Sequence, residues 1–217
     1  MHALAEPTLR QSIALATSDD EPAARFLTAG EHAVYTSLPG ERRRRDWVAG
    51  RLAAKRAVAE TIGITDLDFI ELRYEPRRAP TPVLVVADSV HPIPVSLSIA
   101  HCEGRAAAVA APAPARVGVD LERLGGVGAM RLRYFLTQAE QEATRSVDRT
   151  ALWALKEAAW KALGCDDRTP FTAIELSFDA DGRIRSVWCE GQKRPAAAVV
   201  SNPWPGFVLA VIQTRDD

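Results

Sequence analysis

Apolar and polar positions along this chain follow two rhythms, and the switches between them mark out its elements. Strand-like runs of alternating or continuous apolar residues read at "QSIALAT", "FIELRYE", "VLVVAD", "PVSLSIAH" and "GRAAAVAA" in the first half. In the second half they read at "RVGVDLE", "AIELSFD", "IRSVWCE", "AAAVV" and "FVLAVIQT". Helical spacing dominates "ERRRRDWVAGRLAAKRAVAETIG", where Val48, Leu52, Ala59 and Ile62 fall on one side and Gly63 is placed to end the helix. A second strong helix is predicted over "RTALWALKEAAWKALG", ending at Gly164. Shorter helical segments are expected around "EPAARFLTAGEHAVYTSL" and "AMRLRYFLTQAEQEATRS".

The dipeptide Glu103-Gly104 reads as a hairpin turn. Alternating prolines in "APAPARV", residues 111 to 117, forbid helix and predict an extended crossing between halves. No repeat recurs at solenoid periods. Each half offers a long helix and several strands, which predicts an α+β fold with antiparallel sheets in two similar lobes, residues 1–112 and 113–217.

Composition narrows the function classes. At 47% hydrophobic and 25% charged residues the chain has ordinary globular usage. A formal net charge of -1 argues against a general polyanion binder, so affinity for phosphate has to come from a local cluster. Cys102, Cys165 and Cys189 are odd in number and lack paired spacing, which speaks against a disulfide framework or a thiolate zinc site and for a reducing cytoplasm. The first residues lack a secretory pattern, and no apolar run approaches the ~18 residues of a membrane span. The expectation is a soluble cytoplasmic protein without a membrane partner.

Four stretches carry candidate chemistry. In "GVDLERL", Asp120 and Glu122 lie two apart on a strand and point the same way, a costly pairing unless a divalent cation stands between them. Solvated carboxylates on an edge strand would read the same way. A Mg2+ site needs a further partner, and "LWALKEAAWKALG" offers one. Trp153, Glu157 and Lys161 recur every four residues along one helical stripe, with Lys156 and Trp160 on the next. A surface Glu–Lys pair above inward tryptophans explains that stripe equally well.

In "ERRRRDWVAGR", cations crowd a helix start against the macrodipole, which is easier to understand where an anion docks. Arg44, Arg51 and Lys55 fall on one face, and Arg43 lies two turns before Arg51. A nucleic-acid role is disfavoured because no aromatics interleave and the net charge is not basic. In "SLSIAHC", His101 ends a strand beside the proposed anion site, while Cys102 points to the opposite face. His2, His32 and His91 show no ligand-like spacing, which removes a zinc hydrolase from contention.

Taken together, "GVDLERL", "FLTQAEQEA" and "LWALKEAAWKALG" resemble the signature of 4′-phosphopantetheinyl transferases of the surfactin-synthetase-activating type. "RRRRDWVAGRLAAKRAV" and "SLSIAHCEGR" are similar to that family's basic helix and histidine strand, in the same order. The resemblance covers residues 40 to 165. It implies two pseudo-symmetric lobes with the active site in the cleft between them. It also implies transfer of the phosphopantetheine arm of coenzyme A to a serine of an apo acyl or peptidyl carrier protein, releasing adenosine 3′,5′-bisphosphate.

By position, the resemblance implies that Asp120, Glu122 and Glu157 hold Mg2+ and that Glu157 takes the serine proton, directly or through a metal-bound water. Lys161 would steady the pyrophosphate, and Arg43, Arg51 and His101 would bind the adenosine end of coenzyme A. Two departures stand out. "EPRRAP" carries Arg78 and Ala79 where the family has glycine and a basic residue, leaving Arg77 to supply the charge, and Ala100 replaces a hydroxyl residue before His101. Neither touches the three acids. A Mg2+-dependent nucleotide pyrophosphohydrolase and a coenzyme A-binding scaffold are the rival readings. The carrier served (fatty acid, polyketide or nonribosomal peptide) is not written in the residues. Met130, Leu132 and Phe135 are either its docking patch or core, and two lobes in one chain let a monomer suffice.

Overall fold

The computed structural model describes residues 11–74, 80–87, 89–126, 132–144, 147–179 and 181–215. Strand β1 (Ser12–Thr17) leads to helix α1 (Ala29–Ser37) and the long helix α2 (Glu41–Ile62). Strands β2 (Ile70–Arg73), β3 (Thr81–Val86), β4 (Ser89–Pro92), β5 (Val95–Cys102) and β6 (Arg105–Pro112) complete the first half. The second half runs β7 (Arg116–Arg123), α3 (Leu132–Phe135), α4 (Gln138–Ala143), α5 (Arg149–Leu163), β8 (Ile174–Phe178), β9 (Ile184–Cys189), β10 (Gln192–Ser201) and β11 (Phe207–Thr214). All strand pairs are antiparallel, as the α+β reading expects.

The strands form sheets β1-β6-β5, β2-β3-β4 and β7-β11-β10-β9-β8, so the first half divides its strands over two small sheets. Alternation along the central strands explains how four layers stack. Ala106, Ala108 and Ala110 of β6 pack towards α2, while Ala107, Val109 and Ala111 pack against the second half. Val117, Val119 and Leu121 of β7 and Leu209 and Val211 of β11 meet them there. Val208, Ala210 and Ile212 turn the other way, towards α5. A strand buried on both faces reads as an unbroken apolar run, which is why β6 and β11 show so little polarity.

At the seam between the halves, the edge strands β5 and β7 run side by side without a backbone ladder. The hydroxyls of Ser96 and Ser98 accept hydrogen bonds from the N–H groups of Val117 (3.2 Å) and Val119 (3.1 Å). These serines thus satisfy buried donors that a neighbouring carbonyl would otherwise serve. The chain crosses between halves in a tight turn, with the Ala115 N–H bonded to the Pro112 carbonyl at 3.2 Å. The expected extended crossing is corrected: the prolines bend the backbone back at once.

The halves also repeat a buried device. The Thr28 hydroxyl caps α1 and Glu31 closes the capping box, as Thr137 and Glu140 do for α4. Glu31 then pairs with the buried Lys55 and accepts the Leu72 N–H. Glu140 pairs with the buried Lys156 and accepts the Leu176 N–H. Both lysine helices end on a left-handed glycine, Gly63 (φ 75°) and Gly164 (φ 69°). The repeat is structural, with no solenoid period.

One helix boundary differs from expectation. Segment 21–38 reads as one helix, but Thr28 adopts extended backbone and starts a new helix there, as Thr137 does between the helical stretches expected over 129–146. Strand β4 was not foreseen, since all four of its residues are exposed and none alternates.

Candidate active site

Helix α5 begins at Asp148, whose carboxylate accepts the N–H groups of Thr150 (2.9 Å) and Ala151 (3.1 Å). Its alanine-rich face, including Ala154, Ala158 and Ala162, packs on β7 and β11. Contact is closest at Gly118, where an added Cβ would lie 1.9 Å from the Ala158 carbonyl oxygen. Gly118, Asp120 and Glu122 share one face of β7, and this close approach brings Glu157 of α5 against the two acids.

One carboxylate oxygen from each of Asp120, Glu122 and Glu157 lies within 4.8 Å of the others. The three acids singled out from the sequence therefore converge. Asp120 is buried, and its Oδ1 accepts the Lys161 ammonium at 2.8 Å. Lys161 also donates to the Val119 carbonyl at 3.0 Å and stands 3.8 Å from Glu157. Burial, followed by the charge of Asp120 and a hydrogen bond with it, pushes the Glu157 carboxyl up to about 8, against the pull of Lys161. Burial and the Asp120 charge raise Glu122 as well.

Asp120 Oδ2 is buried, and among the described residues no amide, ammonium or hydroxyl reaches it. Without a cation, only a proton shared with Glu157 relieves the pair. Three crowded carboxylates with an orphaned oxygen fit the hard oxygen donor set that Mg2+ takes.

The sequence reads Trp153 as an inward-packing tryptophan and offers no role for its N–H. Its indole N–H donates to Glu122 Oε1 at 3.0 Å, and its ring packs against Phe135 and Phe171. Phe135 is therefore core and not a docking residue, while Met130 and the Leu132 side chain lie outside the described residues.

Arg43, Arg51 and His101 line one cavity of about 600 Å³, together with Arg42, Trp47 and Tyr74. The sequence brought the first three forward; Arg42 and the two aromatics were missed. Arg77 lies outside the described residues. Arg51 is nearly buried, stacked 4.4 Å from the Trp47 ring and 4.5 Å from the Tyr74 ring, and 3.5 Å from Glu31.

The expected face of Arg44, Arg51 and Lys55 is corrected. Lys55 is sealed in the core on Glu31, and burial lowers its pKa. Arg44 turns away to the Leu38 carbonyl at 3.1 Å. A helical wheel shows direction but not depth, and these two cations sit at different depths from Arg43.

Tyr74, Ile99 and His101 also line a second cavity of about 690 Å³, whose far wall is Trp160, Lys161 and Cys165. The two cavities share these residues and follow the β5–β7 seam from the arginines to Lys161. Cys102 stays off this path as a nucleophile, since burial and nearby Glu122 raise its thiol. Cys165 and Cys189 are free thiols with sulfurs 4.0 Å apart, a proximity that their separation in sequence concealed.

A model of the 4′-phosphopantetheinyl transferase superfamily matches residues 116–212. Among solved structures, the ACPS-CoA complex of Chronobacterium ammoniagenes is 20% identical, covers 48% of this chain and 98% of its own, and superposes with a TM-score of 0.37. Holo-[acyl-carrier-protein] synthase of Thermotoga maritima is 23% identical, covers 47% of this chain and 64% of its own, and gives 0.38. No curated protein matches the chain significantly. No described helix is long and apolar enough to cross a membrane. The matched residues 116–212, which carry Asp120, Glu122, Glu157 and Lys161, are thus similar to the 4′-phosphopantetheinyl transferase superfamily.

Proposed function

We propose that this protein moves the 4′-phosphopantetheine arm of coenzyme A onto a serine of an apo acyl or peptidyl carrier protein, with Mg2+ held by Asp120, Glu122 and Glu157. The observation that carries the reading is the convergence of those carboxylates within 4.8 Å, bridged by Lys161 to a cleft that continues to Arg43 and His101. The specific affinity with the surfactin-synthetase-activating type belongs to the same proposal.

Residues 1–112 bind the adenosine end and residues 113–217 hold the reacting diphosphate. Arg43, with Arg42 beside it, and His101 offer donors to phosphate oxygens. Arg51, clamped between two rings, supplies fixed positive charge to the same wall. Its flat cation and the aromatic pair stiffen the cavity more than they reach into it.

In the reaction, the serine oxygen bonds to the β-phosphorus of coenzyme A. The bond from that phosphorus to the bridging oxygen breaks, and adenosine 3′,5′-bisphosphate leaves. Glu157, in its ionised form, accepts the serine proton. Lys161 uses two N–H groups on Val119 and Asp120 and has one left for the diphosphate. Bound Mg2+ supplies charge stabilisation on the phosphate oxygens. The remaining contribution is alignment of two partners in one cleft.

The test is to incubate the full chain with an apo carrier protein, coenzyme A and Mg2+ and to weigh the carrier. A gain of one phosphopantetheine mass, absent with EDTA, is the expected result. No gain with several unrelated carriers contradicts the transferase reading. Breakdown of coenzyme A with no carrier present favours a pyrophosphohydrolase instead.

A further inference from the structure

We propose that Trp153 is a positioning residue for the cation site: its indole N–H holds the Glu122 carboxylate turned towards Asp120 and Glu157. The inference rests on the reading of those three acids as one divalent-cation site. Glu122 is half-buried beside Asp120, and two like charges at that separation push the free carboxylate outward. Something must hold it in. The side-chain hydrogen bond that does so is Trp153 Nε1–H to Glu122 Oε1, at 3.0 Å, alongside a backbone hydrogen bond at Arg123.

An indole suits this task for two reasons. It carries one donor in a fixed direction and has no acceptor to satisfy, so it can serve only a carboxylate or carbonyl. Its ring is also immobilised. Phe135 meets it edge-on at 5.0 Å and 75°, and Phe171 lies 4.9 Å away at 54°. Donor direction is therefore set by core packing and not by a flexible side chain.

The placement on α5 completes the picture. Trp153, Glu157 and Lys161 stand at i, i+4 and i+8 on one stripe. The first orients one acid, the second is itself an acid of the trio, and the third pairs with Asp120. A single helix thus reaches all three carboxylates. Partners of this kind behind a metal ligand typically matter about 10–100-fold in metal affinity.

The test is direct binding of Mn2+ to the full chain, followed by the spin-resonance signal of free Mn2+, with Mg2+ as competitor. Trp153→Phe removes the donor and keeps an aromatic ring, and Phe171→Leu loosens the same cluster and keeps the donor. Trp153→Phe should bind Mn2+ about 10-fold more weakly or worse, with Phe171→Leu, which keeps the donor but loosens its ring, weakened clearly less. The wild-type tryptophan fluorescence should change on Mn2+ or Mg2+ addition, and that change should vanish in Trp153→Phe. Equal affinity of Trp153→Phe and wild type overturns this role and leaves the three-acid site intact. Equal weakening by both variants reduces Trp153 to packing and also overturns it. Failure of wild type to bind Mn2+ removes the site itself, and this inference with it.

Discussion

Lys161 holds Asp120 by a 2.8 Å ion pair, which makes a lysine on α5 the fixed counter-charge of a buried acid on β7. Removing it in Lys161→Ala leaves that acid without a cation in a site where it is 4% exposed. We expect a loss of about 1–3 kcal/mol in EDTA-treated protein, read by urea unfolding. Added Mg2+ should recover part of the loss, because it supplies the missing positive charge. Transfer should also fall, since in the proposed reaction the same ammonium faces the diphosphate.

Glu157 gives the protein a pH-dependent stability whose sign follows from its raised pKa. Between its ordinary 4.5 and about 8, the folded form holds a proton that the unfolded chain has lost. The stabilisation is complete below the lower value and disappears as pH rises through the higher one. The melting temperature in EDTA should therefore fall over that window, and saturating Mg2+ should flatten the curve. Glu157→Gln should remove the dependence without Mg2+ and cut transfer by at least ~100-fold, with unchanged circular dichroism.

Gly118 is required by contact and not by backbone angle. Its added Cβ would meet the Ala158 carbonyl at 1.9 Å, so Gly118→Ala must push α5 off β7. The cost should lie at the upper end of about 1–3 kcal/mol. Because Glu157 moves with the helix, Mn2+ affinity should fall along with the melting temperature.

Lys156, despite its place beside Glu157, belongs to the fold. It is sealed on Glu140 as Lys55 is on Glu31, and burial lowers both lysines. Lys156→Met and Lys55→Met each strand a buried carboxylate and should cost about 3–5 kcal/mol in urea unfolding. A small loss in either variant would show that the repeated pair is not the keystone of each half.

The acidic half of the site was legible because its geometry is local. Asp120 and Glu122 share a strand face by the two-residue period, and Glu157 and Lys161 share a helix stripe by the four-residue one. Their meeting depends on Gly118, which a pattern of apolar residues does not flag. The arginine-lined half was only partly legible. Arg43 and His101 reach one cavity, but Lys55 and Arg44 lie on a promising face at the wrong depth. Trp153 looked like core, and its ring is; only its N–H has a further partner. The serine contacts at the seam join residues 21 apart, beyond the reach of any local period.

The most direct check of the central claim is anomalous diffraction from crystals grown with Mn2+ in place of Mg2+. The account predicts one strong peak at bonding distance from carboxylate oxygens of Asp120, Glu122 and Glu157. A saturated crystal with no peak there, or a peak held by one of the three while the others turn away, would contradict it.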